Sequence, residues 1–325
     1  MYRGGRSPYM QRSVIAVAAI ALVGALAWWL IPLHEPSRWR TAIAEAPAGA
    51  DRYSWTDWAA VRSALHHPTA DAIENAAYGA DLLETTALRN SSTDLTQLGF
   101  TLNSIDSELF VQSKAGDADI LRLNTPVDPS TWKGWTKTGG YWTAPNTIVN
   151  QVLAYAQVVD GGRILITSNL PTYLTQAVAA LGQSNAVPDT VSGSPLSAFT
   201  YSGSYACSAL AMAHAGADDQ ASGQDLVARA GMLNPILSYT LARNSATDVS
   251  VSMGFDSGDQ ARTNAITRQN LAVGQAPGIG GSFTDIFKLN RASWSGKVAT
   301  LDLTPVAGKP LMGMLATNAV LFATC

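Results

Sequence analysis

Residues 13–33 form an almost unbroken apolar run with no charged side chain in it. In hydrocarbon every backbone N–H and C=O must be paired inside the protein, so a single run of this kind has one fold open to it, the α-helix. About 20 apolar residues are enough to cross the bilayer core. Arg3, Arg6 and Arg12 precede the run and no acid accompanies them. This flank predicts a cytoplasmic tail at 1–12, a membrane span at 13–33, and export of the chain that follows.

The run is longer than the apolar region of a cleaved signal peptide, about 7–15 residues, and lacks a small-residue cleavage site at its end. It closes on Trp28, Trp29 and Pro32 and is followed by His34, Glu35, Arg38, Trp39 and Arg40. The nearest A-x-A patterns, at 42–44 and 44–46, lie well beyond it. The expectation is therefore an uncleaved signal anchor in the plasma membrane, single-pass, with the bulk of the chain extracytoplasmic. Residues 34–51, rich in Ala and Pro, read as a linker.

Two cysteines, Cys207 and Cys325, lie in the exported part. In an oxidising compartment an even pair predicts a disulfide; the alternative is two unpaired buried thiols, since free Cys packs as a small hydrophobe. A bridge would close a loop of more than about 100 residues, worth about 4–5 kcal/mol in the chain-entropy model. Net charge is −3, which leaves no basic footprint for nucleic acid.

From Arg52 onward the pattern runs twice. A short strand at 52–57, helices at 58–66 and 71–88, and a hairpin of 108–113 with 119–123 open the first pass. Asp128-Pro129 supplies a cap and an N1 proline for a helix through Trp135. A second hairpin, 152–159 with 163–168, turns at Asp160-Gly161-Gly162, and a helix from Pro171 ends at Gly182. The second pass places a strand at 196–201, helices at 205–213 and 217–230, a hairpin of 236–243 with 248–255, a helix at 256–273, and a hairpin of 286–294 with 297–303. The apolar stretch 311–324 reads as a buried terminal segment. Strands joined by tight turns imply antiparallel sheets with helices on one face. The fold class expected is α+β, two related halves at 52–182 and 196–325 joined by a connector at 183–195. Pockets favour such interfaces, so the place to look for a site is where the halves meet.

Recognisable chemistry is sparse. His34, His66, His67 and His214 are the histidines, and no spacing suits a metal. Ser204 sits between a strand and a helix without the G-x-S-x-G pattern, and reads as a helix cap. The run Gly278-Ile279-Gly280-Gly281 leaves a helix instead of entering one, so it reads as a turn and not as a phosphate cradle. Asp218, Asp219, Asp256 and Asp259 lie where helices begin, where the dipole favours acids. No cofactor or metal is expected. The aromatics Trp55, Trp58, Trp132 and Trp135 would suit partner binding if exposed and a core if buried.

The stretches Trp55-Thr-Asp-Trp-Ala-Ala-Val-Arg62, Glu108-Leu-Phe-Val-Gln-Ser113, Tyr205-Ala-Cys-Ser-Ala-Leu-Ala-Met212 and Val320-Leu-Phe-Ala-Thr-Cys325 resemble those of a group of membrane-anchored exported proteins of Actinobacteria, mycobacteria and their relatives. The resemblance implies an envelope location and carries no catalytic residue. The function expected is a non-enzymatic binding or accessory protein that docks on an envelope protein or membrane complex. The alternatives are a carrier or sensor holding an apolar envelope ligand between the halves, and an envelope hydrolase with a site at His214 or His66.

Overall fold

The computed structural model describes residues 37–325; the tail at 1–12 and the span expected at 13–33 lie outside them. Among the described residues no helix is long and apolar enough to cross a membrane. The compact unit starts at Ser37, which corrects the linker expected through residue 51. Ser37 caps helix α1 (Arg38–Ala44), accepting a hydrogen bond from the Arg40 amide, and the helix buries Trp39, Ala42 and Ile43. Their i, i+3, i+4 spacing is that of an apolar stripe, hidden in the sequence by the surrounding Ala and Pro.

Strand β1 (Arg52–Thr56) leads through Asp57, which caps α2 (Trp58–Ala64) by accepting from the Ala60 amide. Helix α3 (Ile73–Gly79), a 3-10 turn (Leu83–Thr85) and α4 (Ser92–Gln97) follow. Next come β2 (Ile105–Ser113), β3 (Gly116–Leu123), β4 (Thr136–Thr138), β5 (Tyr141–Thr143), β6 (Tyr155–Val159), β7 (Ile164–Ser168) and α5 (Pro171–Ala180). The chain then forms β8 (Ser197–Ser202), α6 (Gly203–Ser208), α7 (Ala217–Ala230), β9 (Ser238–Arg243), β10 (Val249–Gly254), α8 (Gly258–Ala272), β11 (Phe287–Ser295), β12 (Val298–Pro305) and α9 (Leu311–Thr317).

The strands make a single 12-stranded sheet in the order β11-β12-β10-β9-β8-β1-β2-β3-β7-β6-β5-β4. Every ladder is antiparallel. The fold is therefore α+β, with one sheet running through both parts of the chain. Near its middle β1 pairs with β8, from Arg52 opposite Tyr201 to Thr56 opposite Ser197. Outward from β1 lie β2, β3, β7 and β6; outward from β8 lie β9, β10, β12 and β11.

Alternation along the strands divides the core between two faces. Leu121 and Leu165 join Trp58, Val61, Ile73 and Leu95 under α2, α3 and α4. On the same face Leu241, Val251 and Leu301 pack under α8 and α9. The opposite face carries Trp55, Val111, Ile120 and Ile166, covered by Trp39 and Ile43 of α1 and Tyr173 and Leu174 of α5. Helices thus lie on both faces, where the sequence pattern suggested one. The helix expected over 71–88 is interrupted: Asp81 takes a left-handed φ of 57° and ends the run. The helix expected through Trp135 is one turn, Pro129–Thr131, although Asp128 does cap it through the Ser130 amide. The capping signal was read correctly, but no apolar stripe follows to carry a helix further.

The C-terminal segment is buried as expected and is clamped twice. Cys207 and Cys325 form a disulfide, with Cα atoms 5.5 Å apart. Beside it lies Arg268 of α8, with no exposed surface. Its Nη1 donates to the carbonyls of Phe322 (2.7 Å) and Thr324 (2.8 Å), Nη2 to that of Asn234 (2.9 Å), and Nε to Asn264 Oδ1 (3.1 Å). Burial without a carboxylate partner pushes its pKa down. Close packing continues at Gly278, where a Cβ would stand 2.9 Å from the Ala319 carbonyl. Replacing Arg268 with Met leaves three carbonyls short of a donor, each costing about 1–3 kcal/mol. Urea unfolding of Arg268→Met is expected to show a loss of at least about 3 kcal/mol with the disulfide intact; a loss below about 1 kcal/mol would show that the clamp is dispensable.

Candidate functional site

The joint between β1 and β8 brings the chain before residue 182 against the chain after 196. A cleft of about 710 Å³ opens between the segment 78–89 on one side and the segments 243–247 and 305–318 on the other. Tyr78, Asp81 and Glu84 line one side; Val306 and Lys309, from the loop between β12 and α9, line the other, and Arg243 stands at the end of β9.

Its floor is an ion pair. Arg243 Nη1 lies 3.2 Å from Asp81 Oδ2, with both side chains nearly buried. The same oxygen accepts from the Met312 amide at 2.8 Å, and Arg243 Nη2 donates to the Ala246 carbonyl at 3.1 Å. Three segments distant in sequence are thereby tied at one point. Burial raises the Asp81 pKa against the opposing pull of the Met312 amide and Arg243. Burial likewise lowers that of Arg243 despite Asp81. Desolvation is the larger effect on both partners, as expected for an ion pair that fixes geometry more than it stabilises. The rim is wetter. Tyr78 is 63% exposed and the Arg89 guanidinium stands 5.3 Å from its ring centre. Arg89 also pairs with Glu84 at 3.4 Å, an exposed contact worth little by itself.

The wall at 81–89 is fastened to the sheet from behind. Thr85 and Thr56 share a hydroxyl–hydroxyl bond of 2.7 Å. Glu108 of β2, fully buried, accepts from Trp58 Nε1 (2.8 Å), the Thr86 hydroxyl (2.7 Å) and the Ala87 amide (2.6 Å). Asp119 stands on the same sheet face, because Glu108 is opposite Leu121 and Phe110 opposite Asp119. Asp119 is also fully buried, and neither of its carboxyl oxygens has a hydrogen-bond partner among the described residues. Burial, and secondarily Glu108, raise its pKa well above the carboxylate range. Burial pushes Glu108 up as well, against its three donors.

The aromatics singled out in the sequence are not at the surface. Trp55, Trp58, Trp132 and Trp135 are 2, 0, 5 and 7% exposed. Trp55 donates to the Pro195 carbonyl and Trp132 to that of Leu98, while Trp132 and Trp135 pack at 4.9 Å. Their contact area is spent in the core, which leaves none for a partner. His214 bonds the Ser208 carbonyl at 2.7 Å, and His66 and His67 take left-handed φ just beyond α2. None of these three imidazoles is bonded to a serine hydroxyl or a carboxylate among the described residues, as a hydrolase at His214 or His66 would need. Ser204 lies inside the first turn of α6, whose cap position is Ser202. The Asp81–Arg243 and Glu108–Asp119 pairs escaped sequence reading. The first joins residues 162 positions apart. The second had one signal, acids placed among apolar neighbours in two strands.

No family model and no curated protein matches the chain. Among solved structures, it is similar to TP0453 in three crystal forms. Forms I, III and IV match at 10, 9 and 10% identity with TM-scores of 0.39, 0.39 and 0.41. The matches cover 86, 84 and 83% of this chain and 97, 96 and 94% of that one. These matches name no family for the resemblance drawn from residues 55–62 and their companion stretches.

Arg243→Met strands the Asp81 carboxylate and is expected to cost about 3–5 kcal/mol in urea unfolding. Adding Asp81→Asn should recover most of that loss. A double variant as unstable as the single one would mean that Arg243 acts through packing and not through the pair.

Proposed function

We propose that this chain is a membrane-anchored, extracytoplasmic binding or accessory protein of the cell envelope, non-enzymatic, and that its cleft between residues 78–89 and 305–318 receives an exposed segment of an envelope protein. The observation that carries this reading is the cleft itself, a groove between chain regions that meet at the β1–β8 joint. It combines an exposed aromatic, three basic side chains against two acidic ones, and a fixed ionic floor. Tyr and Arg are the side chains that most often anchor protein contacts, and Tyr78 with Arg89 sits at the rim.

The disulfide is the mark of an extracytoplasmic domain. The apolar run at 13–33 with its basic flank supports an anchor with the N-terminus inside. The matching outward strand orders, β1-β2-β3-β7-β6 and β8-β9-β10-β12-β11, support descent of 52–182 and 196–325 from one duplicated unit. The turn at Asp160-Gly161-Gly162 then corresponds to that at Ser295-Gly296. A carrier of an apolar ligand would want a closed apolar cavity, and this cleft has charged walls.

The test is capture from native membranes in mild detergent with the full-length protein, followed by mass spectrometry. A stoichiometric protein partner should be retained by the wild type and by Lys288→Glu on β11. It should be lost by at least about ten-fold with Tyr78→Ala or with Arg89→Glu/Lys309→Glu, as for a contact worth about 1.4 kcal/mol or more. Equal retention by all variants would remove the cleft as the docking site. Recovery of a lipid and no protein would favour the carrier.

A further inference from the structure

The end of the sheet made by β6, β5 and β4 carries a groove of about 380 Å³ that shares no lining residue with the cleft. Its volume lies in the range of small-molecule sites, about 300–1,000 Å³. Trp142 and Val158 supply its apolar lining, and Asp128, Ser130 and Lys137 its polar lining.

Local structure holds the indole in place. Trp142 of β5 stands opposite Lys137 of β4 and Ala156 of β6, and Val158, two residues on from Ala156, shares that sheet face. The β4–β5 hairpin turns at Gly139, with φ 60°. Trp142 packs edge-on to Trp132 at 5.9 Å, and Trp132 is itself fixed by its bond to the Leu98 carbonyl at 2.8 Å. Trp132 and Trp135 are spent in the core, but Trp142 is only half-buried. The exposed Lys137 holds its ammonium 5.8 Å from the Trp142 ring centre, so that ring face looks out on a surface side chain and not on the core.

We propose that this groove binds a neutral saccharide, with one sugar ring stacked on Trp142 and its hydroxyls held by Asp128, Ser130 and Lys137. A pyranose ring has a face of C–H bonds and a rim of hydroxyls. The C–H face carries weak positive charge and matches the negative face of an indole. Each hydroxyl both donates and accepts, so it needs both kinds of partner. Asp128 only accepts, Lys137 only donates and Ser130 does both. Asp128 Oδ1 accepts the Ser130 amide at 2.9 Å, which fixes the carboxylate. Neither Asp128 nor Lys137 is in an ion pair among the described residues. One carboxylate against one ammonium gives the groove no net charge, which favours a neutral ligand over an anion or a cation. A wholly apolar ligand would cover both charges without bonding them. An aromatic already held in place costs little to order on binding.

The test is indole N–H NMR of the full-length protein in a detergent without a sugar headgroup, titrated with neutral trisaccharides of glucose, mannose, galactose and arabinose. The Trp142 signal is identified as the one missing from Trp142→Phe. At least one trisaccharide should shift it saturably, with a dissociation constant of about 1 mM or tighter. Asp128→Asn keeps an oxygen that can cap the Ser130 amide, and Lys137→Met keeps an unbranched stem. Both positions are exposed, so the fold should hold. Each change should weaken binding at least about three-fold and the two together about ten-fold, while Tyr78→Ala in the cleft leaves it unaltered. A Trp142 signal unmoved by all of these sugars overturns the inference, as does full binding by the Asp128→Asn/Lys137→Met double variant. Tighter binding of a galacturonate trisaccharide than of any neutral one overturns the assignment to neutral saccharides.

Discussion

The pairing of β1 with β8 is the joint on which the rest of the molecule depends. It is an antiparallel ladder of five residue pairs, Arg52 with Tyr201 through Thr56 with Ser197. It turns what would be two smaller sheets into one of twelve strands. A sheet split at that point would expose two unpaired edges, each a liability for association. It also brings α3 and α9 close enough for Asp81 to reach Arg243 and the Met312 amide.

The interior treats its polar groups in three ways. Arg268 is satisfied entirely by carbonyls and one amide oxygen, so its charge is buried but well bonded. Asp81 and Arg243 are matched in charge, and desolvation still outweighs their attraction on both sides. Glu108 and Asp119 are neither matched in charge nor equally bonded. Glu108 has three donors and Asp119 none among the described residues. Buried groups cost free energy unless bonded, and the two acids of the last pair bear that cost unequally.

Much of the layout was legible from turn chemistry. Asp160-Gly161-Gly162 and Ser295-Gly296 mark hairpins because they admit left-handed backbone, and the structure uses positive φ at Asp160, Gly161, Gly162 and Gly296. Pro171 and Gly182 bounded α5 for similarly local reasons. Where the signal was not local it failed. The 71–88 segment has helical composition, yet it breaks at Asp81, which takes a left-handed φ and pairs with Arg243. Trp55, Trp58, Trp132 and Trp135 suit a core and a docking surface alike, and burial alone separates the two.

The sequence by itself determined the periodicities, the turns, the alternation of strand faces and the two cysteines available for a bridge. These are set by backbone sterics and by neighbours a few residues apart. It also determined that an apolar run of membrane length precedes the domain. Tertiary structure decided that β1 meets β8, that α1 belongs to the core, and which buried acids find donors. Those outcomes depend on partners far off in the sequence, such as Arg243 for Asp81, 162 positions away, and Phe322 or Thr324 for the α8 clamp, 54 and 56 positions away. Their energies come from desolvation and packing, quantities no single segment carries before the chain has closed around it.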